Sequence, residues 1–228
     1  MTSTNGTSSS DAPAAVAAIA TDVASFGPHV HISMHPVLSH KISVLRSSST
    51  PPGEFRRALR EITFHLGYEA TSTLSTKPVA LNVPVGHDHI DAIGNKIAER
   101  TAIVPILRSG LGMTESMLEL LPNSHVHHIG MYRVGLLPVQ YYNRLPKKCE
   151  SDVAYVLDPV MATGNTIMSV VKMLKKVRAE RTILVQLAHC NIELQFLNLL
   201  HLVFHLVRPQ NHRMFTPLTH RLQSLSSK

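Results

Sequence analysis

"AYVLDPVMATGNT", residues 154–166, is an apolar run that meets an aspartate and then turns through Ala162-Thr163-Gly164 into the start of a helix. A short apolar run bounded by turn residues is a strand candidate. Thus "VAYVLD" (153–158) is a strand, and Ile167–Lys176 is a helix with Ile167, Val170, Val171 and Leu174 at helical spacing. Unpaired N–H groups and the helix dipole make such a turn a natural phosphate cradle, to which Thr163 and Thr166 add hydroxyl donors.

The same alternation extends outward. "TAIVPIL" (101–107) is a β-branched strand ending at Arg108, and "GMTESMLELL" (112–121) is a helix stopped by Pro122. "HVHHIGM" (125–131) and "RTILVQLA" (181–188) are further strands, while Ile192–Val207 reads as an apolar helix or strand. Phe55, Leu59, Ile62 and Leu66 recur at helical spacing, which predicts an amphipathic helix over 54–66 closed by Gly67. Strands alternating with helices predict an α/β fold: a mainly parallel twisted sheet flanked by helices. No internal repeat is present.

In such sheets ligands lie at the carboxyl ends of the strands. Arg108 leaves one strand beside Ser109-Gly110-Leu111-Gly112, where glycines let backbone amides approach a ligand. Arg133 leaves a second, in "GMYR", and Asp158 ends a third. Each has a plainer reading when taken singly: a solvated arginine, a turn-opening Asp-Pro, an ordinary helix cap at Thr163-Gly164. Their occurrence at three successive strand ends favours a joint site. Two arginines clamp a diphosphate, the cradle holds a monophosphate, and Asp158 accepts hydrogen bonds from sugar hydroxyls. The implied ligand is a phosphorylated, pyrophosphorylated sugar. No Gly-Lys-Ser/Thr follows the turn, so this is not a Walker site.

Composition fits this reading. The 228 residues are 44% hydrophobic, enough for one sizeable domain. The longest apolar run, Leu197–Val207, is broken by His201 and His205 and falls short of the roughly 18 residues of a membrane span. A formal charge of +7 is spread along the chain without a basic stripe, which argues against nucleic acid. Cys149 and Cys190 form no CxxC, so a reducing, cytoplasmic setting is expected. Residues 1–26 are rich in Ser, Thr and Ala without a single Lys or Arg, unlike secretory or mitochondrial leaders. They read as a disordered extension. The 15 histidines include alternating pairs at His29/His31, His87/His89 and His125/His127, but no cysteine or carboxylate cluster completes a metal site.

"VLDPVMATGNT" resembles the phosphoribosyl-pyrophosphate (PRPP) binding motif of phosphoribosyltransferases, in the Asp-Pro form of uracil phosphoribosyltransferases. "VPILRSGLGM" and "GMYR" resemble that family's pyrophosphate-side segments, and "HPVLSHKISVLR" (35–46) and "FRRALREITFHLGYEAT" (55–71) its N-terminal region. The similarity runs over about residues 29–176 in consistent order. It implies a type I phosphoribosyltransferase fold, transfer of phosphoribosyl from PRPP to uracil giving UMP and pyrophosphate with Mg²⁺, and a homo-oligomer. By matching motifs, Arg108 and Arg133 contact the diphosphate side. Asp158, Pro159, Val160, Met161, Ala162, Thr163, Gly164, Asn165 and Thr166 hold ribose and 5′-phosphate.

The chain departs from the family downstream. Uracil phosphoribosyltransferases carry a segment resembling Pro-Gly-x-Gly-Asp-x-Gly-Asp that recognises the base. The last glycine is Gly164 and the last aspartate Asp158, so no such segment stands in residues 165–228. Residues 177–228 hold no glycine, although average usage of about 7% predicts three or four. A frame shift or alternative splice near Lys176–Arg181, or true divergence, accounts for this tail. The hairpin "VGLLPVQYY" also lacks the family's acids. The expected organisation is an extension (1–26), a phosphoribosyltransferase-like domain (27–176) and a divergent segment (177–228). The alternatives to an enzyme are a non-catalytic PRPP- or nucleotide-binding partner protein and an inactive product.

Overall fold

The computed structural model describes residues 30–135, 137–161 and 164–189, and the backbone of 202–207. The 1–26 extension, Ala162 and Thr163 of the turn, and most of the tail lie outside the described residues.

The chain opens with a short strand β1 (Val30–Ile32) and helices α1 (Pro36–Arg46) and α2 (Pro52–Thr71). The hairpin β2 (Thr76–Val85) and β3 (Asp88–Ile97) follows, and then β4 (Thr101–Leu107) and α3 (Leu111–Leu120). Next come β5 (His125–Val126), β6 (Ile129–Val134), β7 (Leu137–Asn143) and β8 (Val153–Leu157). After β9 (Val160–Met161) and α4 (Asn165–Lys176) the described elements end with β10 (Arg181–Gln186), β11 (Ala188–His189) and β12 (Leu202–Val207).

Eight of these strands form one sheet in the order β1-β12-β10-β8-β4-β6-β7, with β5 paired to β4. The centre is parallel: Ala154 of β8 faces Ala102 of β4 on one side and Thr182 of β10 on the other. Its margins are antiparallel, at β12 against β10 and at β7 against β6. This is the α/β class the alternation predicts. The sheet also runs past residue 176, because β10 and β12 both belong to it.

Both faces of the central strands are covered, which explains their unbroken apolar runs. Ile103, Tyr155, Leu157, Ile183 and Val185 pack with α1, α2 and α3 on one face. Val104, Ile106, Ala154, Val156 and Leu184 pack with Ile167, Val170, Val171 and Leu174 of α4 on the other.

Three expectations are corrected. Gly67 does not close α2, which runs from Pro52 to Thr71. A Cβ at Gly67 would lie 2.5 Å from Leu120 Cδ1 and 2.9 Å from Met117 Sδ, so the glycine lets α2 pack closely on α3. Phe55, placed on the apolar face by its spacing, is 43% exposed, whereas Leu59, Ile62 and Leu66 are buried. The first turn of α2 lies beyond the sheet's cover. "HVHHIGM" is also two strands, β5 and β6, separated by His127 and His128.

Leu66 is fully buried between α2 and the sheet, and Arg56 is exposed on the same helix. Leu66→Ala is expected to cost about 2–5 kcal/mol in urea unfolding, and Arg56→Ala less than about 0.5 kcal/mol.

Candidate active site at the strand carboxyl ends

Three parallel strands, β6, β4 and β8, end at the same edge of the sheet. Leu107 of β4 is level with Gly130 of β6, and Pro105 of β4 with Leu157 of β8. Arg108 follows β4 and Asp158 follows β8 at this edge, and Arg133 stands further along β6, from where its charge acts on Asp158; among the described residues no hydrogen bond or ion pair joins Arg108 to either.

The turn after β4 is tight. Gly110 N–H donates to the Ile106 carbonyl at 2.8 Å, Leu111 N–H to Arg108 at 3.1 Å and Gly112 N–H to Ser109 at 3.3 Å. A cis peptide joins Leu107 to Arg108. A Cβ at Gly110 would sit 2.4 Å from the Leu157 carbonyl oxygen and 2.7 Å from the Ile106 nitrogen. Both are rigid backbone atoms, so no side chain fits there. Glycine allows the turn to lie against the last residue of β8, which brings Ser109 beside Asp158. The Ser109 hydroxyl donates to Asp158 Oδ1 at 3.1 Å.

Asp158 is only 8% exposed. Burial pushes its carboxyl up to about 6, against the opposing effects of the Ser109 hydrogen bond and the Arg133 charge. A carboxyl with this shift, at a strand end and facing a cation, is a mark of a functional site. Arg108 and Arg133 are themselves exposed, open to an incoming anion.

The segment after Asp158 is fastened at several points. Asp158 N–H reaches the Val185 carbonyl at 3.4 Å, and Leu187 N–H donates to Pro159 at 3.1 Å. Val160 and Met161 form β9, parallel to β11. Pro159 is half-buried and Val160 is 49% exposed, whereas Met161 packs into the core under α4. Gly164 caps α4 with φ of +74°, in the left-handed region that glycine occupies without strain. Asn165 is exposed and Thr166 buried in the first turn, and Met168 N–H donates to Gly164 at 2.9 Å. No acidic residue lies in that first turn, while Lys175 and Lys176 stand in the last. The positive end of the helix thus has no carboxylate of its own first turn to offset it.

Sequence reasoning missed Ser109. Its signal was present, since it directly follows Arg108 at a strand end and precedes the glycine that forces the contact. Of the histidines, His87 lies in the β2–β3 turn, and His35 caps α1, accepting from Val37 N–H at 3.2 Å. Burial, helped by the neighbouring His125 and His128, holds His127 below the usual histidine range. Among the described residues no group of three or more His, Cys, Asp and Glu side chains is arranged to hold a metal ion. Nor is any helix among them long and apolar enough to cross a membrane.

The Asp158 carboxyl is raised on folding, so the native state holds its proton more tightly than the unfolded chain. The relative stability this confers is fully present below the unfolded value near 3.8 and is lost as pH rises through about 6. Asp158→Asn removes a charge buried at a cost. It is expected to stabilise the fold near pH 8 by on the order of 2 kcal/mol, a gain that vanishes below about pH 4. Urea unfolding at the two pH values checks this.

Comparisons with known proteins place the chain in a family. The sequence profile of uracil phosphoribosyltransferase matches residues 32–199. A uracil phosphoribosyltransferase from Roseiflexus sp. (strain RS-1) is 44% identical over 154 residues, spanning 67% of this chain and 72% of that protein. One from Thermosipho melanesiensis is 39% identical over 160 residues, spanning 69% and 76%. Among solved structures, the AQ2163 protein from Aquifex aeolicus superposes with a TM-score of 0.63 at 29% identity, over 70% of this chain and 76% of that one. The chain therefore belongs to the uracil phosphoribosyltransferase family.

Proposed function

We propose that this chain binds PRPP at the carboxyl ends of β4, β6 and β8 and transfers its phosphoribosyl group to uracil, giving UMP and pyrophosphate. The observation that carries this reading is the grouping of buried Asp158 with Ser109 and the Arg133 charge, just ahead of the acid-free N-terminus of α4.

In this reading the 5′-phosphate lies at the start of α4, on the backbone N–H groups around Gly164, Asn165 and Thr166, with Thr163 adding a hydroxyl. Asp158 accepts hydrogen bonds from the ribose hydroxyls, and Pro159, Val160, Met161 and Ala162 complete the segment that shapes the ribose side. Arg108 and Arg133 pair with the diphosphate. Displacement at the anomeric carbon passes through an oxocarbenium-like transition state, in which positive charge grows on the ribose and negative charge on the departing pyrophosphate. The two arginines neutralise the latter, and the fixed phosphate and ribose contacts keep the reacting carbon in line with the base. Positioning and charge stabilisation supply the rate without a protein nucleophile.

Among the described residues no group of three or more ligating side chains is arranged for a metal, which suits Mg²⁺ delivered on PRPP and held mainly by phosphate oxygens and water. When bound, the ion offsets the charge of the pyrophosphate. The protein works in the cytoplasm, where two cysteines without a disulfide framework are at home. It works there as a homo-oligomer, for which Leu81, Ile90 and Ile93 of the exposed β2–β3 hairpin offer contact surface.

A second reading, a non-catalytic PRPP-binding partner protein, is favoured by one observation: residues 165–228 contain neither glycine nor aspartate, so the family's base-recognition motif is not among them. Calorimetry with PRPP and an assay of UMP formation from uracil, PRPP and Mg²⁺ separate the two. Binding with turnover is expected. Binding without turnover assigns the chain to the second reading, and no binding contradicts the site.

Arg133→Ala and Asp158→Asn are each expected to weaken PRPP at neutral pH by about tenfold or more, the worth of a charge-assisted hydrogen bond. Lys175→Ala, at the far end of α4, is expected to leave affinity unchanged. Titration calorimetry of the three variants checks both.

A further inference from the structure

We propose that Ser109 is a positioning residue for the reaction: its hydroxyl fixes the Asp158 carboxylate by one oxygen, sets its orientation toward the ribose and favours its charged form. This rests on the PRPP reading of the strand ends.

The geometry leaves Ser109 little freedom. Gly110, the next residue, is pressed against the Leu157 carbonyl, and Leu157 is the neighbour of Asp158. Serine and aspartate are thus held together by two backbone segments in contact, rather than by flexible side chains. The hydrogen bond at 3.1 Å occupies Oδ1. The proposal gives the other oxygen, Oδ2, to a sugar hydroxyl.

Holding the carboxylate by one oxygen gives it an orientation; leaving it alone in a buried setting would cost it its charge. A protonated Asp158 accepts fewer hydrogen bonds and presents a proton to the ribose hydroxyls it should receive. The hydroxyl of Ser109 favours the charged form against burial, as does Arg133. Arg133 is exposed, however, and in the PRPP reading its charge is engaged by the diphosphate once ligand binds. Among the described residues, Ser109 is then the stabilising contact that remains with Asp158.

The test follows the carboxyl itself. Aspartate side-chain ¹³C resonances are titrated in the wild-type chain, Ser109→Ala and Ser109→Thr, with Asp158→Asn to assign the signal, and PRPP affinity is measured by calorimetry at the same pH values. Comparison at equal pH cancels the ionisation of the PRPP phosphates. In Ser109→Ala the Asp158 midpoint is expected to rise by about one pH unit, the effect of losing a hydrogen bond to a charged group. PRPP affinity then falls roughly eightfold at about pH 5.5 and stays within about twofold of wild type at about pH 8.5. Ser109→Thr, which keeps the hydroxyl, restores both.

An unchanged midpoint in Ser109→Ala overturns the proposal, and so does an affinity loss equal at all pH values, which is the signature of a merely structural residue. A midpoint that moves while even the wild-type chain fails to bind PRPP overturns the reading of the site, and the positioning role with it. The carboxyl titration alone distinguishes that failure from a missing Ser109–Asp158 contact.

Discussion

The contact between Gly110 and the last carbonyl of β8 is the constraint on which the candidate site depends. With a virtual Cβ only 2.4 Å from that oxygen, any other residue would push the β4–α3 turn away from β8. The turn carries Arg108 and Ser109, and β8 delivers Asp158. Their separation is therefore set by backbone packing in the middle of a sheet that is buried on both faces, which is the stiffest part of such a molecule. A site for a highly charged, flexible ligand gains from such rigidity, because fewer of its own groups must be ordered on binding.

The electrostatics follow from the same arrangement. A carboxylate at the buried end of a central strand is costly, and here its carboxyl lies near 6, close to the pH at which it has to work. The acid is kept useful by neighbours from two other strand ends, Ser109 after β4 and Arg133 on β6. The phosphate end is built differently, from a helix start that has no acidic residue in its first turn and a left-handed glycine at its cap. One half of the site thus uses side-chain charge and the other backbone dipoles. Family membership gives this combination its context: the Roseiflexus and Thermosipho relatives are matched over more than two thirds of their length.

Much of this was legible in the sequence because it rests on local signals. The runs at 101–107 and 153–158 are apolar at nearly every position because helices cover both faces of those strands, and α4 declared itself by Ile167, Val170, Val171 and Leu174. Other features were hidden because they depend on tertiary neighbours. Gly67 looked like a helix stop and is a packing gap for Leu120. The β2–β3 hairpin was passed over: Pro78 and Pro84 argue against a strand, and both are tolerated because the hairpin stands outside the main sheet. Ser109 was given no role in the sequence. Only the register of β4 against β8 reveals that it reaches Asp158. The strand expected at 181–188 is present as β10 and extends the sheet beyond residue 176. A strand needs apolar side chains and a partner, and Arg181–Gln186 has both despite the lack of glycine around it.

The central claim is that the ends of β4, β6 and β8 and the start of α4 form one PRPP site. A crystal structure of the chain soaked with PRPP and Mg²⁺ tests it most directly. The account predicts the 5′-phosphate on the backbone N–H groups at Gly164–Thr166, the ribose hydroxyls within hydrogen-bond distance of Asp158, and the diphosphate between Arg108 and Arg133. Density for PRPP elsewhere on the molecule, or a ribose turned away from Asp158, would contradict it.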